Sequence, residues 1–155
     1  MMTAAPPPST GPVAASPHPH HVLVATELLS SLEAAGQARR VVRDLLTQGR
    51  RPELVETACL LTSELVANAV THAGAPVELV ADLDRTRLAV EVIDTSSTDP
   101  KVGRPAPLAT SGRGLELVDR LADSWGVTHV RPGKSVWFAL GTAPGERVAG
   151  RVPFP

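Results

Sequence analysis

The chain reads as α+β: a two-layer sandwich in which helices cover one face of a mixed, mainly antiparallel sheet. Three observations predict this. Two long stretches, 33–48 and 52–73, repeat apolar residues at helical spacing. Shorter apolar stretches of strand length lie between turn residues. The two kinds follow one another as β-α-α-β-β-loop-α-β-β rather than as alternating single βα units.

Val22-Leu23-Val24-Ala25-Thr26 is short and rich in β-branched residues, the composition of a first strand. Over 33–48, Ala34, Ala38, Val41, Val42, Leu45 and Leu46 fall on one side of a helix that Gly49 closes. Pro52 suits the first turn of a second helix, where its missing N–H has no intrahelical partner anyway, and Gly74 follows the last helical residue, Ala73. Within that helix Leu54, Ala58, Leu61, Leu65 and Ala69 form the core-facing stripe. Residues 77–83 alternate and 88–94 partly do, so they read as two strands joined by the polar turn Asp84-Arg85-Thr86. The Pro, Ser, Thr and Gly-rich segment 95–113 carries little period and is expected to be a mobile loop. Residues 114–122 return to helix, with Leu115, Val118 and Leu121 inward. A closing hairpin joins 125–130 to 135–140 through Arg131-Pro132-Gly133-Lys134, with Lys134 expected to face solvent. Trp125 and Trp137 are expected to pack in the core or an interface.

The flanks lack such patterns. Residues 1–21, with Pro6-Pro7-Pro8 and His18-Pro19-His20-His21, read as a disordered arm, and 141–155 as a flexible tail, leaving one ordered domain over 22–140. The histidines suit a solvated tail, with loose metal binding as the alternative. Aromatic residues make up only 3% and Tyr is absent, so the core must be built from Leu, Val and Ala. A net charge of −1, with no basic run, argues against nucleic acid as the main partner. The single cysteine, Cys59, cannot form an intramolecular disulfide and reads as a small core residue of a protein in a reducing compartment. No apolar run approaching the ~20 residues of a membrane span is seen, and the N-terminus has no signal-peptide pattern. A cytoplasmic protein that engages neither membrane nor nucleic acid is the expectation.

The chemistry concentrates in four places. In Glu64-Leu65-Val66-Ala67-Asn68-Ala69-Val70-Thr71-His72, a carboxylate, a carboxamide and an imidazole stand four residues apart. Each four-residue step drifts by only about 40° around a helix, so the three form one polar stripe. Such a stripe either faces solvent or lines a cavity. Asp94 ends an apolar strand, where a carboxylate needs a partner or ligand, or else simply starts a turn with Thr95. Ser111-Gly112-Arg113-Gly114-Leu115 places two glycines at a helix start, whose unshielded N–H groups suit a phosphate. Thr110 and Ser111 can cap that helix, and Arg113 is either a surface charge or a phosphate contact. Gly133-Lys134-Ser135-Val136-Trp137-Phe138 opens the last strand.

In order and spacing these motifs resemble the ATP-binding (Bergerat-type) fold shared by gyrase, the Hsp90 chaperone, histidine kinases and MutL. More narrowly, they resemble its small anti-sigma-factor serine kinase branch, over about 22–140. The segment Ser63-Glu64-Leu65-Val66-Ala67-Asn68-Ala69-Val70-Thr71-His72-Ala73 matches that branch's N box. The resemblance implies ATP and Mg²⁺ as cofactors. It assigns Asn68 to the metal, Glu64 to general base catalysis and Asp94 to the adenine amine. His72 would border the pocket, while Gly112, Arg113, Gly114 and Leu115 would form the phosphate turn. One departure stands out: the family's Asp-x-Gly-x-Gly is replaced here by Asp94 followed by Thr95-Ser96-Ser97-Thr98-Asp99-Pro100, so the wall beside the base must be shaped differently.

What the resemblance implies is a regulatory kinase that phosphorylates a serine of a small antagonist protein and sequesters a sigma factor, with a homodimer expected. A nucleotide-responsive binding module without phosphotransfer is the alternative, and a plain adaptor with a degenerate pocket is the third reading.

Overall fold

The computed structural model describes residues 21–28, 31–73, 76–95, 113–129 and 133–141. In chain order, β1 (Val22–Leu28) leads to α1 (Ala34–Gln48) and α2 (Pro52–Ala73), then β2 (Val77–Leu83) and β3 (Leu88–Asp94). After these come α3 (Arg113–Leu121), β4 (Ser124–His129) and β5 (Lys134–Leu140). The expected element order holds, with β1 two residues longer than its sequence signal and α3 and the hairpin strands shifted by about one. The expected arm and tail, apart from His21 and Gly141, lie outside the described residues, as does most of the expected loop, 96–112. His21 pairs with Asp82 on β2.

The sheet runs β1-β2-β3-β5-β4, and every pairing in it is antiparallel. The mixed character allowed by the sequence is not used, for a geometric reason. The crossover through α3 returns the chain in the direction of β3, but β5 then folds back between β3 and β4 and separates the two parallel strands.

Alternation along the strands decides the core. Val77, Leu79, Ala81 and Leu83 of β2, Leu88, Val90 and Val92 of β3, and Val136, Phe138 and Leu140 of β5 are all buried in one cluster. Ala58, Leu61, Leu65 and Ala69 of α2 close it, with Ala38, Val42, Leu45 and Leu46 of α1 and Leu115 and Val118 of α3. Each fully buried Leu or Val of this kind contributes roughly 1.5–3 kcal/mol relative to exposure.

Several expectations change. Leu121 is 43% exposed, and Ala122 takes the buried place. A three-residue step lags the helix by about 60°, so two such steps carry Leu121 off the face that Leu115 began, whereas Ala122 returns to it. Gly49 does cap α1, but the left-handed residue is Arg50, with φ 55°. The stretch Pro52–Thr71, with mean hydropathy 1.2, is long and apolar enough by composition to cross a membrane, contrary to the sequence reading. Here it is the central core helix, packed on α1 and on the sheet.

Cys59 is buried and free, as expected. Burial pushes its thiol pKa up, against the pull of Arg43 and Arg39, which keeps it a poor nucleophile. Trp137 is buried on the sheet face opposite the helices, against Gly126, while the half-buried Trp125 donates its Nε1–H to Asp119 at 2.9 Å.

Candidate functional site

The structure gathers the sequence-marked residues into two clusters. The first lies where α2 meets α3. Glu64 and Asn68 stand one turn apart and half-buried on α2, flanking the stripe that packs on the sheet. Gly114, in the first turn of α3, lies directly on them. A methyl group on Gly114 would come 2.8 Å from Glu64 Oε2, 3.1 Å from Glu64 Cβ and 3.2 Å from Asn68 Nδ2. At those separations an added methyl would have to displace the end of the Glu64 side chain and crowd Asn68, so the close contact depends on residue 114 having no side chain. Leu115, next in the chain, is buried and anchors α3 to the core. The end of α3 that carries unshielded amides and the positive dipole thus sits against a carboxylate and a carboxamide.

The turn of α2 bearing Glu64 is tied down from its other side. Ser63 accepts a hydrogen bond from Arg39 Nη1 of α1 at 3.0 Å and donates one to the Cys59 carbonyl at 2.8 Å. His72 falls in the last turn of α2 and Arg113 at the first residue of α3, but their side chains lie outside the described residues, as do Thr110, Ser111 and Gly112 altogether.

The second cluster is at the end of β3. Asp94 shares the helix-covered face with Val90 and Val92, and it is buried. Opposite it in the β3–β5 register stands Lys134, whose Nζ is 3.5 Å from Asp94 Oδ1. The Asp94 and Lys134 side chains are only 2% and 5% exposed, respectively. Lys134 therefore does not face solvent, as the hairpin reading expected. It sits on the same side of β5 as Val136, Phe138 and Leu140, and that alternation was the signal in the sequence that could have found it. A buried ammonium or carboxylate alone would be strongly penalised; the pair stands because each offsets the other's desolvation. Nor is Asp94 merely a turn-starting residue.

Gly133 completes this cluster. A methyl group there would overlap the Asp94 carbonyl oxygen and Thr95 Cα, so the backbone before β5 runs against the backbone that ends β3.

The donor set fits a hard cation that arrives with its own oxygen ligands. Asn68 offers an amide oxygen, with the Glu64 carboxylate one turn away, which suits magnesium bound chiefly by water and phosphate oxygens. Among the described residues there is no group of three or more His, Cys, Asp or Glu placed to hold a metal ion.

A sheet backed by helices, with an acid–amide stripe facing a glycine-opened helix, defines a nucleotide-binding type of domain, and comparison with known proteins agrees. Residues 28–140 match the histidine kinase-like ATPase domain, and the chain belongs to that family. Among solved structures, it is similar to the crystal structure of the RsbU and RsbW domains of Rv1364c from Mycobacterium tuberculosis. The TM-score is 0.60 at 19% identity, over 76% of this chain and 32% of that one. The match thus spans about a third of that protein's length, and at this identity it speaks for the fold. No curated protein matches the sequence.

Proposed function

We propose that this domain is an ATP-dependent regulatory protein of the cytoplasm, acting as an anti-sigma-factor serine kinase. The observation that carries the reading is the seating of Gly114 on Glu64 and Asn68, a pair one helical turn apart and a glycine distant from both in sequence, whose chemistries make sense together around a phosphate chain. Asn68 would hold Mg²⁺ through its amide oxygen, where the cation neutralises the charge of the triphosphate. Glu64 takes the proton from the hydroxyl of an acceptor serine as its oxygen attacks the terminal phosphorus and ADP leaves. Gly112, Arg113, Gly114 and Leu115 form the phosphate turn, His72 borders the pocket, and Asp94 accepts the exocyclic amine of adenine.

The partners proposed are a sigma factor and its small antagonist protein, with a second copy of the chain as dimer mate. An RsbW domain in the similar structure supports this branch of the family. Incubation with Mg-ATP and the candidate antagonist is expected to yield phosphoserine, abolished in Glu64→Ala. In calorimetry, Asn68→Ala is expected to weaken Mg-ATP binding about tenfold, close to the value of one charge-assisted contact, with little change when Mg²⁺ is withheld. Equal affinities with and without the substitution would defeat the assignment.

A second reading, a nucleotide-responsive binding module without phosphotransfer, is favoured by Ser96 and Thr98 standing in the sequence where the family's second motif has its two glycines. Tight nucleotide binding with no transferred phosphate would select it.

A further inference from the structure

Strand parity puts Ala89, Ser135, Trp137 and Ala139 on the sheet face turned away from the helices. All four are buried, none more than 4% exposed, yet the three apolar ones lie outside the core cluster that the helices close. The Trp137 indole rests on Gly126, which accounts for one of its sides. So little exposure means that the other side is covered as well. Among the described residues no helix packs there, so the cover comes from elsewhere in the chain.

The β1–β2 end of the same face is acidic. Glu27 and Glu78 are exposed and directly opposite each other, an arrangement that destabilises a strand pair. Asp82, paired with His21, and Glu91, bonded to Ser135, share that face. Its described residues include no lysine or arginine.

We propose that residues 142–155 fold back over this face, with Val148, Val152 and Phe154 toward Trp137 and with Arg147 and Arg151 toward Glu27 and Glu78. This segment continues from β5, the strand that carries Trp137, and Gly141, at φ 86°, takes the chain out of the strand's line. Fully extended, it reaches up to about 46 Å, while β5 to β1 is only about 14 Å across the sheet. Residues 1–20 contain no lysine or arginine and fit the carboxylates less well. Lys101 and Arg104 belong to 96–112, which joins the Asp94 end of β3 to α3 on the helix side. A face covered in this way is closed to a protein partner until the segment is displaced.

The test uses the full chain with Cys59→Ala and Trp125→Phe, leaving Trp137 as the one indole, and with a bimane label on Val152→Cys. Tryptophan quenches bimane at contact range. Adding Trp137→Phe is expected to raise the emission about twofold or more, as a segment docked at least half of the time requires. Arg147→Glu/Arg151→Glu should lower the docked-to-free ratio about tenfold, the combined worth of two surface ion pairs, and salt should act in the same direction.

Emission indifferent to Trp137 would overturn the proposal. Quenching of a label on Val13→Cys, with none on Val152→Cys, would overturn it in favour of the segment before β1. Quenching of a labelled chain that lacks Trp137, on mixing with unlabelled chains that keep it, would assign the face to a second copy instead. Should the tryptophan variants fail to fold, the label is read with both indoles present, in Glu27→Lys/Glu78→Lys alone and combined with Arg147→Glu/Arg151→Glu. Quenching lost in the first and regained in the second is expected; no recovery would count against the pairing and overturn the proposal.

Discussion

Where Asp94 meets Lys134, paired strands and an abutting turn of bare backbone grip both side chains; where Glu64 and Asn68 meet Gly114, two helices lean on each other through one small residue. The strand-end cluster is buried and set by a hydrogen-bonded register. The helical cluster is half-buried and set by side-chain contact. From this difference it follows that a change at the strand end damages the fold first, whereas a change at the helical end damages ligand recognition first.

Gly133→Ala should have the largest effect. The added methyl meets backbone of Asp94 and Thr95 that cannot swing aside, so a loss of about 3 kcal/mol, the upper range for overpacking, is expected in denaturant unfolding. A near-neutral result would break the comparison, because it would mean that the strand end yields as readily as a helix contact.

Gly114→Ala should behave otherwise. The methyl meets the movable end of Glu64 and the Asn68 amide, and alanine gains roughly 0.5–1 kcal/mol in helix propensity. These effects offset one another, so stability should change by less than about 1 kcal/mol while Mg-ATP affinity falls about tenfold. Calorimetry beside thermal unfolding separates the two; a collapse in stability with affinity retained would reverse the assignment.

A smaller effect comes from outside both clusters, in the turn between β2 and β3. Burial pushes the Asp84 carboxyl pKa up, but hydrogen bonds from the Thr86 and Arg87 amides and the Thr86 hydroxyl outweigh that and hold it below the usual range. A depressed carboxyl contributes stability that is present above its unfolded pKa, about 3.9, and is lost as pH falls through the folded value. Asp84→Ala should therefore cost about 1 kcal/mol at neutral pH, the net worth of such bonds in an exposed turn. That difference should shrink toward zero in acid unfolding series. A difference that persists unchanged at low pH would mean that the turn's stability does not depend on the ionised carboxylate.

Much of this architecture could be read in advance because its signals are local. The stripe from Ala58 to Ala69 and the alternation from Val77 to Leu83 are properties of consecutive residues, and both fall where the periodicity puts them. The polar stripe of Glu64 and Asn68 was legible for the same reason. Lys134 was misread because it follows a Pro-Gly turn, and turn chemistry outweighed a parity with Val136, Phe138 and Leu140 that extends one residue further back than the expected strand. Leu121 was misread because a three-residue spacing, continued twice, drifts off a helix face.

By itself, the sequence determined which residues are helical, which are extended, and which side chains could do chemistry, since spacing and functional groups are carried by the chain directly. The tertiary structure alone decided their partners. That Lys134 neutralises Asp94, and that Gly114 rests on Glu64 and Asn68, depends on β5 inserting beside β3 and on α3 packing against α2. The physical reason is that these contacts join distant segments, and burial of the common core, rather than any local preference, brings those segments together.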